Sequence, residues 1–349
     1  MPLDLSPSDE QQQLIDAFAA LYDKESPTER VRAAEALCHD PELWRRLLEN
    51  GAVEMAVGEE HGGGGATVLD LALVAEQHGR HLGSAPLLEA QVVARLLGRL
   101  CRLGGLGGEA AGSLLGDVMS GDRLVTLALR PPRAGVLTMV PAGAVADAVI
   151  FADGHELLVT DVASGRTPVA NLGSLPVADV PAAGARPLAA GPAVREAVES
   201  ALDEWLALMA AAMVGLGGRA LEIGVAYVKE RHAFGVPIGS FQAVAHGLAD
   251  AATLHDGAEL LEREAAWAAG EEPARFGELA ALAFGFCVDA ARQAAYRSLH
   301  YHGGYGFMLE TDIQLFWRRT TAWPAQYGEP DVAFARAEAR RLGMSIEEA

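Results

Sequence analysis

The spacing of apolar residues along the chain changes near residue 120. Before that point, apolar side chains recur with a period of about 3.6, which predicts helices separated by short loops. Ser6 and Pro7 carry a capping signal for the first helix, with Pro7 at the first helical position and Asp9 placed to close a capping box. From residue 120 the apolar runs are short, rich in Val, Leu, Ile and Thr, and bounded by Gly, Pro or Asp, which predicts strands.

The helical spacing returns after residues 182–192, an Ala-, Gly- and Pro-rich stretch that we interpret as a linker. Residues 194–230 predict one unbroken helix, and two further long helices are predicted over residues 240–269 and 273–300. A helix of 37 residues is unusually long for a globular protein and indicates a helix bundle.

These changes of spacing divide the chain into three domains. We predict an N-terminal helical domain over residues 1–119, a small β domain over residues 120–181, a linker over residues 182–192 and a C-terminal four-helix bundle over residues 193–349. The predicted fold class is α+β, mostly α.

The composition excludes several kinds of partner. The chain has 27 lysines and arginines against 47 aspartates and glutamates, a formal net charge of -20, whereas nucleic acids and anionic membranes attract positive surfaces. Only two of the 27 cations are lysines, so an anionic ligand must meet arginine, the better planar clamp for phosphate or carboxylate. Hydrophobic residues make up 50% of 349 positions, enough for a large core.

The cysteines and the N-terminus predict a cytoplasmic protein. Three cysteines without a CxxC pair indicate neither a disulfide framework nor a zinc site. The N-terminus carries no secretory signal, and no apolar run reaches the length of a bilayer span. No metal is expected, because His300 and His302 are a poor pair of ligands without a third one nearby.

The most informative segment joins two of the long predicted helices at residues 231–242. It reads Arg-x-x-Phe-Gly-x-Pro-Ile-x-x-Phe-Gln, with Arg231 before the turn and Gln242 after it. By local physics alone, it is a helix connector whose Phe234 covers the end of the bundle. In the alternative interpretation, Arg231 and Gln242 bond the phosphate or amide groups of a ligand.

With its flanks over residues 227–250, this segment resembles the acyl-CoA dehydrogenase family of flavoproteins. Two more stretches agree with the family in order. Residues 43–65 include Ala-Val-Gly-Glu-Glu-His-Gly-Gly, similar to the family's Pro-Glu-x-x-Gly-Gly region, and residues 299–318 include Gly-Gly-Tyr-Gly, similar to its Gly-Gly-x-Gly segment. The likeness spans about residues 6–342.

The resemblance implies a helical domain, a β domain and a four-helix domain, assembled as dimers or dimers of dimers. It places FAD between the β domain and the bundle, with the adenosine pyrophosphate reaching the neighbouring subunit. Glycine permits the backbone to approach a ligand closely, and arginine meets a diphosphate bidentately. The implied FAD contacts are Arg231, Phe234, Gln242, His300, Gly303, Gly304 and Gly306.

The reaction that the resemblance implies is α,β-dehydrogenation of an acyl-CoA thioester. A carboxylate removes the α-proton while the β-hydrogen leaves as hydride to the flavin N5. Hydrogen bonds to the thioester carbonyl stabilise the enolate-like charge. An electron-transfer acceptor is the implied redox partner.

The sequence departs from the family in the β domain. Where the family has Thr-Glu-Pro-x-x-Gly-Ser-Asp and then a hairpin, residues 129–137 read Leu-Arg-Pro-Pro-Arg-Ala-Gly-Val-Leu, and the hairpin is missing. The acidic and hydroxyl groups that meet the flavin and the substrate in the family are therefore absent from this stretch.

The catalytic base is the second departure. The family's two base positions fall at Tyr327 and Trp205, and neither is a carboxylate. The neighbouring acids are Glu204 and Glu329, but one residue turns a side chain by about 100° around a helix. Glu204 is our candidate base, on the condition of a local register shift; the alternative is that each acid is an ordinary surface residue.

Three hypotheses for the function follow. In the one we favour, the chain is the smaller, degenerate subunit of a heteromeric acyl-CoA dehydrogenase and completes the FAD site of a catalytic partner. In the second, it acts alone as a homo-oligomeric acyl-CoA dehydrogenase. In the third, it has the family's fold without flavin and serves as a scaffold.

Overall fold

The computed structural model describes residues 5–162 and 165–343, which group into two compact units. The first unit comprises Met1–Val31, Val68–Gly83 and Leu206–Ala349, and the second comprises Arg32–Thr67 and Ser84–Trp205. The predicted N-terminal helical segment contributes helices to both units. The three-domain boundaries of the sequence analysis therefore stay a prediction.

Helices account for most of the chain, and the β-structure is confined to its middle and to one short hairpin. The α-helices are α1 (Asp9–Glu25), α2 (Thr28–Ala34), α3 (Pro41–Glu49), α4 (Val68–Arg80), α5 (Leu87–Leu103), α6 (Gly105–Ser120), α7 (Pro192–Glu230), α8 (Gln242–Glu271), α9 (Pro273–Tyr301), α10 (Ile313–Ala322) and α11 (Pro330–Leu342). The strands are β1 (Val125–Leu127), β2 (Val136–Val140), β3 (Ala148–Asp153), β4 (Glu156–Asp161), β5 (Thr167–Pro168), β6 (Ala178–Pro181), β7 (Arg186–Ala190), β8 (His232–Ala233) and β9 (Val236–Pro237). This arrangement confirms the predicted α+β, mostly α fold class.

Helix α1 is capped differently from the prediction. Its N-cap is Ser8, whose hydroxyl accepts a hydrogen bond from the Gln11 amide at 3.2 Å. The Gln11 side chain accepts the reciprocal bond from the Ser8 amide at 3.0 Å. The predicted role of Asp9 was wrong, because only the side chain three residues after the cap reaches back to the cap's N–H.

Two small sheets form the β region of the second unit. The first has the strand order β1-β3-β4-β7, parallel between β1 and β3 and otherwise antiparallel. The second has the order β2-β6-β5 and is antiparallel. Apolar side chains from both sheets, among them Leu137, Val149, Phe151 and Val180, form one buried cluster.

The stretch predicted as a linker contains strand β7, so that prediction was wrong for residues 186–190. Strand β7 pairs with β4, with Arg186 opposite Val159 and Ala190 opposite Glu156. Its central Leu188 is buried. An Ala- and Pro-rich stretch reads as a linker from composition, but here the free edge of β4 supplies the backbone hydrogen bonds that make it a strand.

In the first unit, α9 is the central helix and packs against α8, α10 and α11. The C-terminal part of α7 joins them through glycines. A Cβ on Gly224 would lie 2.3 Å from the Ser298 hydroxyl of α9, and one on Gly218 would lie 2.9 Å from the His255 ring of α8. Small residues thus bring three long helices into backbone-close contact, which is the predicted bundle.

Helices α4 and α7 cross even more closely. A Cβ on Gly79 would lie 1.9 Å from the Ala212 carbonyl oxygen, and one on Gly215 would lie 1.9 Å from the Glu76 carbonyl oxygen. Two glycines, one from each helix, therefore form the contact surface of this crossing.

Helix α7 is long and apolar enough to span a membrane by length and composition, contrary to our expectation that no segment would be. In its most apolar window, 72% of the residues are buried inside the protein. That burial is typical of a core helix.

Candidate cofactor site

The predicted cofactor segment lies beside an open cleft of about 810 Å³ in the first unit. The end of α7, the β8–β9 hairpin and the turn after α9 form its walls. The lining residues are Tyr227, Glu230, Arg231, Ile238, His300, Tyr301, His302, Gly303, Gly304 and Tyr305.

The β8–β9 hairpin presents an aromatic side chain to solvent. Phe234 and Gly235 form its two-residue turn, with φ of 54° and 85°. This left-handed turn matches the twist of a hairpin, and glycine adopts it at little cost. Phe234 is 97% exposed, with Phe241 beside it in an edge-to-face contact at 6.3 Å. The connector interpretation, in which Phe234 covers the bundle end, is therefore wrong for this residue.

Arg231 has a fixed backbone and an available side chain. Its N–H donates to the Tyr227 carbonyl at 2.9 Å, and its own carbonyl accepts from the Ile238 N–H at 2.8 Å. The side chain is exposed and makes no ion pair with any residue in the described ranges 5–162 and 165–343. A guanidinium held this way is suited to a phosphate, which it can meet with two parallel hydrogen bonds.

A stacked pair forms one wall of the cleft. The rings of Tyr227 and His302 lie 3.8 Å apart at an angle of 19°. Nδ1 of His302 donates to the Ser298 carbonyl oxygen at 2.7 Å, which assigns the proton to that nitrogen. Burial lowers the pKa of His302 from its ordinary value, against a smaller raising effect of this hydrogen bond. His302 is thus neutral, with Nε2 left as a hydrogen-bond acceptor.

The glycine turn has two functions. Gly303 has φ of 61°, and within the described chain no atom lies within 4 Å of where a Cβ on Gly303 or Gly304 would sit. Gly306 differs, because its Cβ would lie 2.7 Å from the Leu299 carbonyl oxygen. Gly303 and Gly304 therefore open the cleft, whereas Gly306 lets the turn pack against α9.

The cleft brings together four of the predicted FAD contacts, Arg231, His300, Gly303 and Gly304. His300 stacks on Tyr296 with ring centroids 5.8 Å apart. Phe234, Gln242 and Gly306 lie outside the lining: Phe234 at the tip of the hairpin, Gln242 exposed at the start of α8, and Gly306 buried in the turn.

Glu204, the candidate base, is a buried ion-pair partner in the second unit. Nε of Arg95 donates to its Oε1 at 2.9 Å, and Arg99 donates to the same oxygen. Arg95 also donates to the Ala66 carbonyl at 3.1 Å. Burial by itself would raise the pKa of Glu204, but Arg99 and Arg95 outweigh it and lower the pKa. A carboxylate stabilised in this way is a weak proton acceptor.

Trp205, at one family base position, fills space in the second unit and is 1% exposed. The sequence gave no reason to single out its neighbour Glu89 on α5. Burial raises the pKa of Glu89 to about 7, against smaller lowering effects of hydrogen bonding to the backbone and to Trp205. A glutamate on an apolar helix is a signal that could have drawn attention to it.

The other base position is also occupied by a structural residue. Tyr327 contacts Phe284 edge to face, with ring centroids 5.5 Å apart. Glu329, two residues on, is exposed and accepts two hydrogen bonds from Arg292, at 2.6 and 3.3 Å. This is the surface ion pair that the alternative interpretation of Glu329 predicted.

A second buried acid was missed in the first unit. Glu262 on α8 is 1% exposed, and neither of its oxygens has a hydrogen-bond partner among the described residues. Burial raises its pKa well above the ordinary value, and the nearby Glu76 raises it further. Glu262 is therefore a neutral acid at pH 7. Among the described residues, no group of three or more His, Cys, Asp or Glu is placed to hold a metal ion.

The comparisons with known proteins agree with this architecture. Residues 8–102 match the acyl-CoA dehydrogenase N-terminal domain, and residues 185–337 match the acyl-CoA dehydrogenase C-terminal domain. The chain belongs to the acyl-CoA dehydrogenase family. Its family membership and its class, the oxidoreductases, are those that the resemblance predicted.

Relatives and solved structures extend over nearly the whole chain. The acyl-CoA dehydrogenase IpdE2 of Mycolicibacterium smegmatis is 30% identical over 335 residues, which cover 95% of this chain and 99% of IpdE2. A chain of the ChsE4-ChsE5 complex from Mycobacterium tuberculosis is 27% identical with a TM-score of 0.81, covering 99% of this chain and 100% of that one. The FAD complex of PigA has the same fold, with a TM-score of 0.81 at 17% identity, covering 98% of this chain and 100% of that one.

FAD is the cofactor of this family, and the cleft at Arg231 suits part of it. The site offers an exposed guanidinium for a diphosphate, open glycine backbone for close approach, and aromatic rings on one wall. Arg231, His300, Gly303 and Gly304 are the residues that would hold the group.

Proposed function

We propose that this chain is a subunit of an FAD-dependent acyl-CoA dehydrogenase and that it completes a shared FAD site with a second, acyl-CoA dehydrogenase-like subunit. The observation that carries the proposal is the cleft at Arg231, an open cation-bearing cradle at the edge of the first unit. An open cradle binds a large dinucleotide tightly only when a second surface closes over it.

Exposed apolar side chains surround the cleft and support a protein partner there. Water-exposed clusters of large apolar residues are typical of interaction sites. The hairpin and the turn after α9 contribute Phe234, Val236, Phe241, Tyr305, Phe307, Met308 and Leu309.

The ion pairs of the candidate acids support a partner that supplies the catalytic base. We assign Glu204 a structural role, because Arg95 and Arg99 hold it as an anion. Glu329 is likewise paired with Arg292. In the proposed enzyme the base and the acyl pocket belong to the partner. The ChsE4-ChsE5 structure, by its title a complex of two named proteins, supports this division of labour.

The proposed reaction is α,β-dehydrogenation of an acyl-CoA thioester. When bound, the flavin accepts the hydride that leaves the β-carbon. In this chain Arg231 neutralises the diphosphate of the cofactor, and the Gly303-Gly304 backbone lets it approach. The α-proton goes to the partner's carboxylate, and the electrons pass to an electron-transfer acceptor. The assembly is expected in the cytoplasm.

The proposal is tested by flavin absorbance and native mass. The chain is purified alone and together with the acyl-CoA dehydrogenase-like protein encoded beside its gene. We expect a colourless chain alone and a yellow complex that is reduced on addition of acyl-CoA. A yellow homo-oligomer of this chain that is reduced by acyl-CoA would refute the shared site. A complex without flavin would refute it as well.

A further inference from the structure

Helix α8 has one face that no described residue covers. The face follows the 3.6-residue period and includes Gln242, His246, Ala249, Thr253 and Leu260, all exposed. The opposite side of the helix is buried, with Glu262 at its centre. The exposed face begins at Gln242, directly after the hairpin that carries Phe234.

The uncovered face has the composition of a docking surface. Along its middle the side chains are small, as at Ala249 and Thr253, so another helix can approach closely. Leu254 lies at its edge, and Leu260, which is 58% exposed, continues it toward the C-terminal end. Leucines exposed to this extent beside small residues lose little entropy and gain apolar burial when a partner packs on them.

The charge on the face is of one sign. Helix α8 contains six acidic residues, no lysine and a single arginine. That arginine, Arg263, pairs with Glu259 and lies near Glu76, off the exposed face. Asp250 and Asp256 flank the small residues, are exposed, and form no ion pair with any arginine or lysine in the described ranges.

A second copy of the chain would bring the same charges to this face. In a symmetric dimer the same patch meets itself, so the aspartates of one α8 would face those of the other with no cation between them. Like charges brought together at an interface are strongly unfavourable. The net charge of -20 on each chain adds to the repulsion.

We propose that the exposed face of α8 docks a different protein chain, one whose facing helix carries lysine or arginine opposite Asp250 and Asp256. This inference rests on the proposed function, since it names the chemistry of the partner that shares the flavin site. It also says why the assembly is heteromeric: the acidic face selects a basic partner and rejects its own copy.

The test uses charge reversal on the full-length chain. The variant D250K/D256K reverses the face, and D153K/E156K reverses two exposed acids of the β3–β4 hairpin as a matched control. Each is co-purified with the acyl-CoA dehydrogenase-like protein encoded beside the gene. We expect D250K/D256K to weaken that complex by about tenfold or more in low salt, and the control to leave its affinity unchanged. Equal affinities for the two variants would overturn the proposal.

A second measurement needs no natural partner. Wild-type chain is mixed with D250K/D256K, and the native mass is recorded at low and high salt. We expect wild type alone to stay monomeric and the mixture to form a one-to-one pair that salt dissociates. A mixture that does not pair overturns the docking face.

Flavin absorbance separates this inference from the proposed function. A flavin-bearing complex that withstands D250K/D256K sinks the charge account alone. A colourless complex that D250K/D256K disrupts sinks the shared flavin site and leaves the docking face supported.

Discussion

Nε of Arg95 donates a hydrogen bond to the Glu204 carboxylate at 2.9 Å, and Arg99 donates to the same oxygen. Removing the charge of Glu204 leaves two guanidinium groups facing each other without an anion. We expect Glu204→Gln to lower the free energy of unfolding by about 3 kcal/mol or more, the usual cost of breaking a buried ion pair. Urea denaturation measures it.

Glu329→Gln is the matched control, because it breaks an exposed pair with Arg292. We expect a change of about 1 kcal/mol or less. If Glu204→Gln unfolds like wild type while the assembled enzyme loses turnover, Glu204 is a base and the structural assignment is wrong.

The crossing of α4 and α7 predicts a sharp response to one added methyl group. Gly79→Ala and Gly215→Ala would each place a Cβ 1.9 Å from a carbonyl oxygen of the facing helix. We expect each to destabilise the fold by about 1–3 kcal/mol through overpacking. In the described chain no atom lies within 4 Å of a Cβ on Gly116 of α6, so Gly116→Ala should stabilise by about 0.5–1 kcal/mol through helix propensity. Thermal melting curves distinguish the three variants, and equal melting temperatures would contradict the crossing.

The buried acid Glu262 predicts how stability depends on pH. Its pKa is raised in the folded state, so the folded chain keeps a proton that the unfolded chain has released. Stability from this group is present at low pH and is lost as the pH rises through the raised pKa. Glu262→Gln cannot ionise, so its stability relative to wild type should improve steadily from pH 5 to pH 9.

Glu89 has the same sign and a defined window. Its pKa rises from 4.5 to about 7 on folding, so wild type should lose stability relative to Glu89→Gln between those two pH values. The loss is at most about 3 kcal/mol. Urea denaturation at a series of pH values measures the difference, and a pH-independent difference would show that Glu89 ionises normally in the folded chain.

The exposed Phe234 separates a binding role from a structural one. At 97% exposure its side chain contributes little to folding, so Phe234→Ala should change the free energy of unfolding by less than about 0.5 kcal/mol. We expect the same variant to weaken the complex with the partner, since large aromatic side chains dominate the energy of interfaces. Leu37→Ala, at an exposed apolar residue of the second unit, is the control that should leave the complex intact.

Much of the fold could be predicted because its signals are local. The long helices α7, α8 and α9 begin and end within about two residues of their predicted bounds, since their apolar periodicity is continuous. Strand β7 could not be predicted, because its pairing with β4 depends on a sheet edge rather than on its own composition. The cap of α1 was misassigned by one position, from Asp9 to Gln11, within a run of polar residues.

The candidate site was predictable only in part. Arg231 and the glycines stood out by motif, and the structure brings Arg231, Gly303 and Gly304 into one cleft. The partners of Glu204 could not be found from sequence, because Arg95 and Arg99 lie more than 100 residues away in the chain. Burial of Glu262 was hidden for a related reason: the exposed and buried faces of α8 both carry acids.

The retention of flavin by the assembled complex of an Arg231→Met variant tests the central claim most directly. Lys229→Met, which removes a neighbouring cation outside the cleft lining, is the control. If Arg231 holds the diphosphate of a shared FAD, the variant complex keeps its native mass but binds FAD about 10- to 100-fold more weakly, the loss expected for a charge-assisted hydrogen bond. Equal flavin affinity in the Arg231→Met and Lys229→Met complexes would contradict the account.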